Sequence, residues 1–580
     1  MARRLTKELA EFERSSPDWC TVSAVDDDLM HWNAMLVGPE NSPYSGGVFN
    51  LDLQFPSEYP FKAPKVRFLT RVYHPNVKSQ SGEICADIIN ENWGPTLNVL
   101  HCLTAIKQIL EQPDMDSPLE PDIAKQMHES RADFEKTAED WTKHGGGYCS
   151  EAHSYVVALS TAQAASDEPS KDSNNQTEKS SARDTDLELP SPQPFELLIL
   201  QHGDSLNPSF IRDLTKDMAA KLKKHWIDES EFYWRYKHDQ VDLAICHSEP
   251  GAWEPARYTT SRCPPRNALY KVGRTMFETD RVPHGWTDRM NKMDEIWVPT
   301  KFQEKVFVSG GVRPEAIKVV PEVVDVEFFD PDKVMEPYDL ASDLEFAMTT
   351  KTTVFLSIFK WEERKAWKVL LKAYVETFTA VDDVVLVLLT NGYHTALSSA
   401  DDFRTVINKF TIEVAGNKMK ELPHIHVLPS HVPQKSLPSL YKAANAFVLP
   451  SRGEGWGRPH VEAMAMELPV IATFWSGTTA YMTEENSYPL RVSRLIEIEE
   501  GAFKGHKWAD PCVEHLKELL LRVKNHPKEA VAKGKQARKD MVKNYSSNIV
   551  GEIVLGHVNR ILGQVAARKE AEYVANHEEL

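Results

Sequence analysis

The sequence predicts a multidomain chain. An α+β domain (N-terminal helix, antiparallel meander, C-terminal helices) comes first, and an α/β region of two doubly wound lobes follows it. Three observations lead there. The chain has 580 residues, more than a single hydrophobic core accommodates. Near residues 160–193 it reads STAQAASDEPSKDSNNQTEKSSARDTDLELPSPQ, a composition too poor in apolar residues to offset ordering entropy, so disorder is expected. On either side of that stretch the hydrophobic rhythm differs. Short alternating runs broken by Pro, Gly and Asn precede it, and continuous apolar runs spaced by helical patterns follow.

Taken in order, RRLTKELAEFERS opens the chain as a charged amphipathic helix. The strand candidates HWNAMLVG, GVFNLDLQF and KVRFLT are bounded by turn residues. LNVLHCLTAIKQILEQ and PDIAKQMHESRADFEKTAEDWTKH carry helical periodicity. These elements set a first domain at 1–147 and a disordered linker at 148–194. Beyond it, PFELLILQ, VDLAICHS, EIWVPT, TTVFLSIF, DDVVLVLLT, NAFVLPS and LPVIATF read as buried strands, with helices such as AWKVLLKAYVETF and PHVEAMAME between them. Apolar strands joined by crossover helices imply parallel sheets covered on both faces. The length divides into an N-terminal lobe at 195–335 and a C-terminal lobe at 336–580, with a cleft between them.

The net charge of −18 argues against attachment to nucleic acid or anionic lipid by overall electrostatics. The seven cysteines are scattered, with no CxxC pair or zinc spacing, a usage that suits a reducing compartment. No run is long and apolar enough to span a membrane. The expectation is a cytoplasmic protein, with the nucleus also open to it.

Within VYHPNVKSQSGEICADIINENWGP, Cys85 follows a Gly-containing loop and precedes Asp87, and Asn76 lies upstream in a Pro turn. A thiol nucleophile needs such a turn and groups that stabilise an oxyanion. A buried structural thiol fits the same residues.

GPENSPYSGGVF, FPSEYPFKAPKVRFLT, YHPN, GEICADI, NWGPTLNV and DSPLEPDIA occur in order over residues 1–147. In this the segment resembles ubiquitin-conjugating enzymes. The resemblance implies that Cys85 accepts ubiquitin as a thioester from the activating enzyme, with ATP consumed there, and passes it to substrate lysines with a ligase. Asn76 would stabilise the oxyanion or hold the active-site loop, while His74 and Pro75 form a structural turn. Asp87 and Ser117 would line the lysine's approach, Ser117 standing where the most similar carriers have Asp. Phe61, Pro95 and Thr96 would face RING- or U-box-type ligases, and Arg3, Arg4 and Lys7 the activating enzyme. Cys20 and Cys102 would be structural. The implied partners are ubiquitin, the activating enzyme, ligases and substrate proteins, with no nucleic acid and no membrane span. No covalently bound cofactor is implied.

In NAFVLPSRGEGWGRPHVEAMAMELPVIAT an apolar strand ends at a Gly-rich loop before a helix opened by Pro459. Glu454 falls in that loop and Glu462 near the helix start, where doubly wound sheets bind ligands. In FLSIFKWEERKAWKVLLKAY, Lys360, Arg364 and Lys365 precede another helix, where cations can neutralise a diphosphate. A solvated charged loop is the other reading of that segment.

Together these segments resemble two-Rossmann-lobe, retaining, metal-independent nucleotide-sugar glycosyltransferases of group 1, over residues 195–565. The resemblance implies that Glu454 contacts the donor sugar, Glu462 the ribose and Lys365 the diphosphate of an unspecified nucleotide-sugar donor. Lys360 stands in place of the usual arginine and Ala366 in place of the usual glycine. His247 and His284 are candidates for contacting the sugar, and a satisfied structural role suits each as well. No Asp-x-Asp motif occurs and no metal site is implied. Two other arrangements remain open: a carrier with a non-catalytic glycosyltransferase-like module, and a glycosyltransferase whose first domain is only an adaptor.

Overall fold

The computed structural model describes residues 2–578 outside 15–16, 18, 26–27, 41, 46–47, 69–71, 79–81, 85–92, 116–117, 144–194, 201–219, 221–223, 228–231, 233, 237–238, 255–261, 341–347, 350, 393–399, 417–421, 429–431 and 501–502. The chain divides into two compact units, one built on Met1–Cys149 and the other mainly on Cys263–Leu580. The expected linker lies outside the described residues.

In the first unit, α1 (Ala2–Arg14) is followed by β1 (Cys20–Val25), β2 (Asp28–Val37), β3 (Val48–Gln54) and β4 (Lys65–Phe68). After these come α2 (Val99–Glu111), α3 (Pro121–Glu129) and α4 (Arg131–Lys143). The four strands form an antiparallel sheet in sequence order. Helix α2 buries Val99, Cys102, Leu103, Ile106 and Leu110, a spacing of three and four that puts one face in the core. β1 was not among the sequence's strand candidates. The helical pattern from residue 121 to 144 is also two helices, broken at Ser130, whose backbone is not helical (φ −149, ψ 89).

The second unit contains β5 (Val241–His247), β6 (Ala268–Arg274), α5 (Trp286–Met290), β7 (Glu295–Val298), α6 (Lys301–Ser309) and β8 (Ile317–Val319). Then follow β9 (Thr353–Trp361), α7 (Trp367–Thr377), β10 (Val384–Gly392), α8 (Ala400–Ala415), β11 (His424–Val427), α9 (Leu437–Lys442), β12 (Ala446–Leu449), α10 (Arg458–Ala465) and β13 (Val470–Thr473). β14 (Tyr488–Leu490), β15 (Val492–Glu497), β16 (Lys507–Pro511), α11 (Val513–Asn525), α12 (Pro527–Tyr545) and α13 (Ser547–Glu578) complete it.

Strands β5 to β8 make one parallel sheet. A second parallel sheet runs β11-β10-β9-β12-β13-β14. The order reverses between β9 and β12, which share only two residue pairs, Ala446↔Phe355 and Phe447↔Leu356. The carboxyl ends at such a reversal are the usual ligand position in doubly wound sheets. Seven consecutive residues of β10 are buried, as a strand covered on both faces requires. Val550, Val554, Val558, Ile561 and Val565 of α13 pack on Tyr270, Val272 and Trp297, so the last helix returns to the first lobe's sheet.

Two expectations are corrected. PFELLILQ, read as a strand, makes only an isolated bridge from Ile199 to Trp226 among its described residues. The cysteine usage includes a pair, because Cys246 and Cys263 form a disulfide. They lie 17 residues apart in sequence, Cys246 on β5 and Cys263 ahead of β6, a pairing that no local spacing announces. Among the described residues, no helix is long and apolar enough to cross a membrane.

Candidate functional site

In the first unit the approach to Cys85 is built by a hairpin. Val77 bridges Ile84 and Arg67 bridges Glu83, so the backbone is fixed up to the residue before the thiol. Gly82 turns this hairpin with φ +73, and a Cβ there would lie 1.8 Å from the Phe68 carbonyl oxygen. Only glycine fits. Cys85, Asp87 and Ser117 themselves fall outside the described residues.

The His-Pro-Asn turn is locked from inside. The Asn76 backbone N–H donates to His74 Nδ1 at 3.0 Å, so Nε2 carries the proton and donates to the Ile109 carbonyl at 3.0 Å. Burial pulls the His74 imidazole down to about 4, against that carbonyl contact. With both nitrogens engaged it is a structural group. The Asn76 amide donates to the Asp114 carbonyl at 2.6 Å and accepts from the Asp114 N–H at 2.9 Å. The Pro75 carbonyl accepts from Leu119 and Glu120 N–H groups. Asn76 thereby ties the turn to the segment that leads into residues 116–117.

Phe61 is 77% exposed, which excludes core packing for it, and Pro95 and Thr96 are exposed as well. Trp93 Nε1 donates to the Pro60 carbonyl at 2.8 Å and joins the two loops that carry them. On α1, Lys7 is exposed, whereas Arg4 is engaged with Glu8 and with the Leu97 carbonyl. The side chain of Arg3 lies outside the described residues. Cys20 and Cys102 are buried, and burial pushes their thiols up to about 11 and about 12 respectively, far from thiolate chemistry.

In the second unit, the loops after β9 and β12 meet where the strand order reverses. The Arg452 N–H donates to the Arg364 carbonyl at 2.7 Å. Glu454, 5% exposed, accepts from Lys365 Nζ at 2.7 and 2.9 Å and from Arg364 at 3.1 Å. Burial alone would raise the Glu454 carboxyl, but Lys365 and Arg364 hold it down to about 2. Arg364 also pairs with Glu362 at 2.6 Å and with Glu278 of the first lobe at 3.2 Å. Burial raises Glu278 above the ordinary carboxylate range against the pull of Arg364. The Glu454 carbonyl is held by Gly477 N–H and the Ser476 hydroxyl, both at 2.9 Å. A Cβ on Gly477 would sit 2.6 Å from that carbonyl oxygen.

Of the residues expected here, Lys365 and Glu454 are in direct contact. Glu462 is elsewhere on α10, bonded to Tyr441 at 3.0 Å and paired with Arg458 at 3.5 Å. Burial raises its carboxyl despite Arg458 and Tyr441. Lys360 lies within β9, in register with Asn391, and Arg364 is the second cation on Glu454. His247 ends β5 and His284 is exposed in the turn before α5. Ala366, at the expected glycine position, has a left-handed backbone (φ 49). Sequence reading missed the part played by Glu278, because only folding brings "RTMFE" to the other lobe's loop. Among the described residues no group of three or more His, Cys, Asp or Glu could hold a metal ion.

Comparison with known proteins agrees with both halves. The family model for ubiquitin-conjugating enzymes matches residues 4–142, and that for glycosyl transferases group 1 matches residues 350–497. Ubiquitin conjugating enzyme E2 B of Dictyostelium discoideum is 45% identical over 141 residues, 24% of this chain and 95% of that protein. Among solved structures, one described as a ubiquitin conjugating enzyme from Plasmodium yoelii is 38% identical, covering 24% of this chain and 92% of its own, with a TM-score of 0.24. The E2 domain of a Toxoplasma gondii ubiquitin conjugating enzyme is 37% identical, covering 24% of this chain and 94% of its own, with a TM-score of 0.23. The chain therefore belongs to the ubiquitin-conjugating enzyme family through its first unit and carries a group 1 glycosyltransferase domain in its second.

Proposed function

We propose that the first unit carries ubiquitin as a thioester on Cys85. The observation behind this reading is a cysteine that follows directly on the Gly82 hairpin in sequence, downstream of an internally locked His-Pro-Asn turn, in a 141-residue stretch 45% identical to a ubiquitin conjugating enzyme. The Cys85 thiolate attacks the ubiquitin thioester on the activating enzyme, forming a new C–S bond as the old one breaks and that enzyme's cysteine leaves as thiolate. A substrate lysine amine then attacks the carbonyl, the C–N bond forms, the C–S bond breaks, and the amine's proton passes to solvent. His74 is not the base, since both its nitrogens are bonded. Asn76 holds the loop around the reaction, Asp87 and Ser117 border the lysine's path, and Phe61, Pro95 and Thr96 meet a ligase. Arg4, Lys7 and Arg3 offer positive charge to the activating enzyme.

The test is loading with activating enzyme, ATP and ubiquitin, read on reducing and non-reducing gels. A thiol-sensitive adduct is expected on the full chain and none on Cys85→Ala. An equal adduct on both would overturn the reading.

For the second unit the favoured activity is glycosyl transfer from a nucleotide sugar. It is supported by two cations gathered on Glu454 where the strand order reverses between β9 and β12. Lys365 and Arg364 would neutralise the leaving diphosphate, Glu454 and Glu462 would hold sugar and ribose hydroxyls, and Lys360 would stand at the margin of that site. Release of nucleoside diphosphate from a panel of nucleotide sugars tests it, and no release from any donor would overturn it.

A further inference from the structure

Glu8 is a carboxylate on α1 that no step above requires. It is 4% exposed and shares the buried face of α1 with Leu5 and Phe12. A charged group taken out of water costs several kcal/mol unless its lone pairs are satisfied. The partners that satisfy this one come from segments far away in sequence. Tyr59 donates its hydroxyl at 3.0 and 2.8 Å to the two carboxylate oxygens. The Val99 N–H donates at 3.0 Å. Arg4 pairs with it from one turn earlier on α1 and extends to the Leu97 carbonyl at 2.8 Å.

The position of those partners gives the arrangement its meaning. Tyr59 is 2% exposed and stands two residues before Phe61, which is 77% exposed. Leu97 directly follows Thr96, and Val99 is the first residue of α2, so its N–H is one of the helix's unpaired donors and favours a carboxylate. Trp93, bonded to the Pro60 carbonyl, closes the circuit between the two loops. One buried carboxylate thus fixes the roots of both loops whose tips are exposed, and a rigid docking surface spends less free energy on ordering when a partner arrives.

We infer that Glu8 is a positioning residue for ligase docking: it holds the Phe61 loop and the Pro95–Thr96 loop in register from α1, and it touches neither ubiquitin nor the lysine. This rests on the proposed ubiquitin carrier and on the ligase role of those loops.

The experiment uses the full chain loaded with ubiquitin on Cys85. Discharge to free lysine is followed alone and with rising concentrations of isolated RING and U-box domains, taking the domain that stimulates the wild type most. In Glu8→Gln the amide keeps the shape but turns an N–H towards groups that are themselves donors. Unstimulated discharge should stay within about twofold of wild type, while the domain concentration for half-stimulation rises about tenfold with the maximal rate retained. Phe61→Ala, at the tip of the loop, should raise the half-stimulation concentration at least as much. Tyr59→Phe removes a single donor and should give a smaller rise, and combined with Glu8→Gln it should add nothing.

An unchanged half-stimulation concentration in Glu8→Gln overturns the inference. So does a parallel fall in stimulated and unstimulated discharge, which is what a merely structural role would produce. Should Glu8→Gln fail to fold, Tyr59→Phe decides, and wild-type behaviour there overturns it. Absence of a thioester on wild-type Cys85 would instead overturn the carrier reading and this inference with it. A loaded wild type that no domain stimulates overturns the ligase role of the loops and this inference with it, and leaves the carrier reading standing.

Discussion

His74 and His460 are both sealed from solvent, and burial pulls each imidazole from 6.5 to about 4, opposed at His74 by the Ile109 carbonyl and at His460 by Glu454. Between those two values the unfolded chain binds more protons than the folded one. Their contribution to stability is therefore fully present above about pH 6.5 and is lost as the pH falls through about 4, with a slope of roughly 1.4 kcal/mol per pH unit for each group. Glu454, held at about 2 against an ordinary 4.5, acts in the same direction but further down, between those two values. Melting temperatures recorded from pH 7.5 to 4 should fall in both units, and a flat profile would contradict the assignment. At this scale the sequence is uneven. A cysteine nine residues after Asn76 announces itself, whereas Glu8 and Glu278 are ordinary acidic residues whose importance comes from what folding puts against them.

Elements explain why the site residues lie where they do. After β9 the chain makes a short 3-10 turn over Glu363–Lys365 and enters α7 through Ala366 in a left-handed conformation. That turn aims Lys365 and Arg364 at Glu454. A left-handed backbone costs a non-glycine residue about 1–2 kcal/mol. Replacing Ala366 by glycine relieves this, but it gives up a buried methyl worth about 0.8 kcal/mol and adds unfolded-state entropy. The opposing effects should leave Ala366→Gly within about 1 kcal/mol of wild type, while Ala366→Val, β-branched at positive φ in a packed core, should lose more than about 2 kcal/mol. Chemical denaturation of the two variants checks both. Strands β9, β10, β12 and β13 were legible because a fully buried strand is a continuous apolar run. β1, with its CTVSAV pattern, and the break at Ser130 were not, since pairing and chain direction decide them.

On the scale of the molecule, each unit has hydrophobic clusters of its own among the described residues. Among the described residues, the buried cluster of the first unit is formed by residues between Leu5 and Ala138, and those of the second by residues from Tyr270 onwards. Glu454→Gln should therefore abolish nucleoside diphosphate release while ubiquitin loading of Cys85 proceeds at the wild-type rate, a comparison both assays can make on one protein preparation. A loading defect in that variant would mean the units are coupled. The sequence by itself determined the fold class of each half, an antiparallel α+β domain before parallel α/β sheets, and placed Glu454 in the loop after an apolar strand. Those follow from local rules: hydrophobic period, turn residues and motif spacing. Only the tertiary structure decided that Arg364 rather than Lys360 is the second cation on Glu454, that Glu278 reaches it from the other lobe, that Cys246 meets Cys263, and that Glu8 stands beneath Tyr59 and Val99. Each of these depends on which segments pack together, and the free energy of a buried charge or a close approach is set by neighbours distant in sequence, which a local reading does not contain.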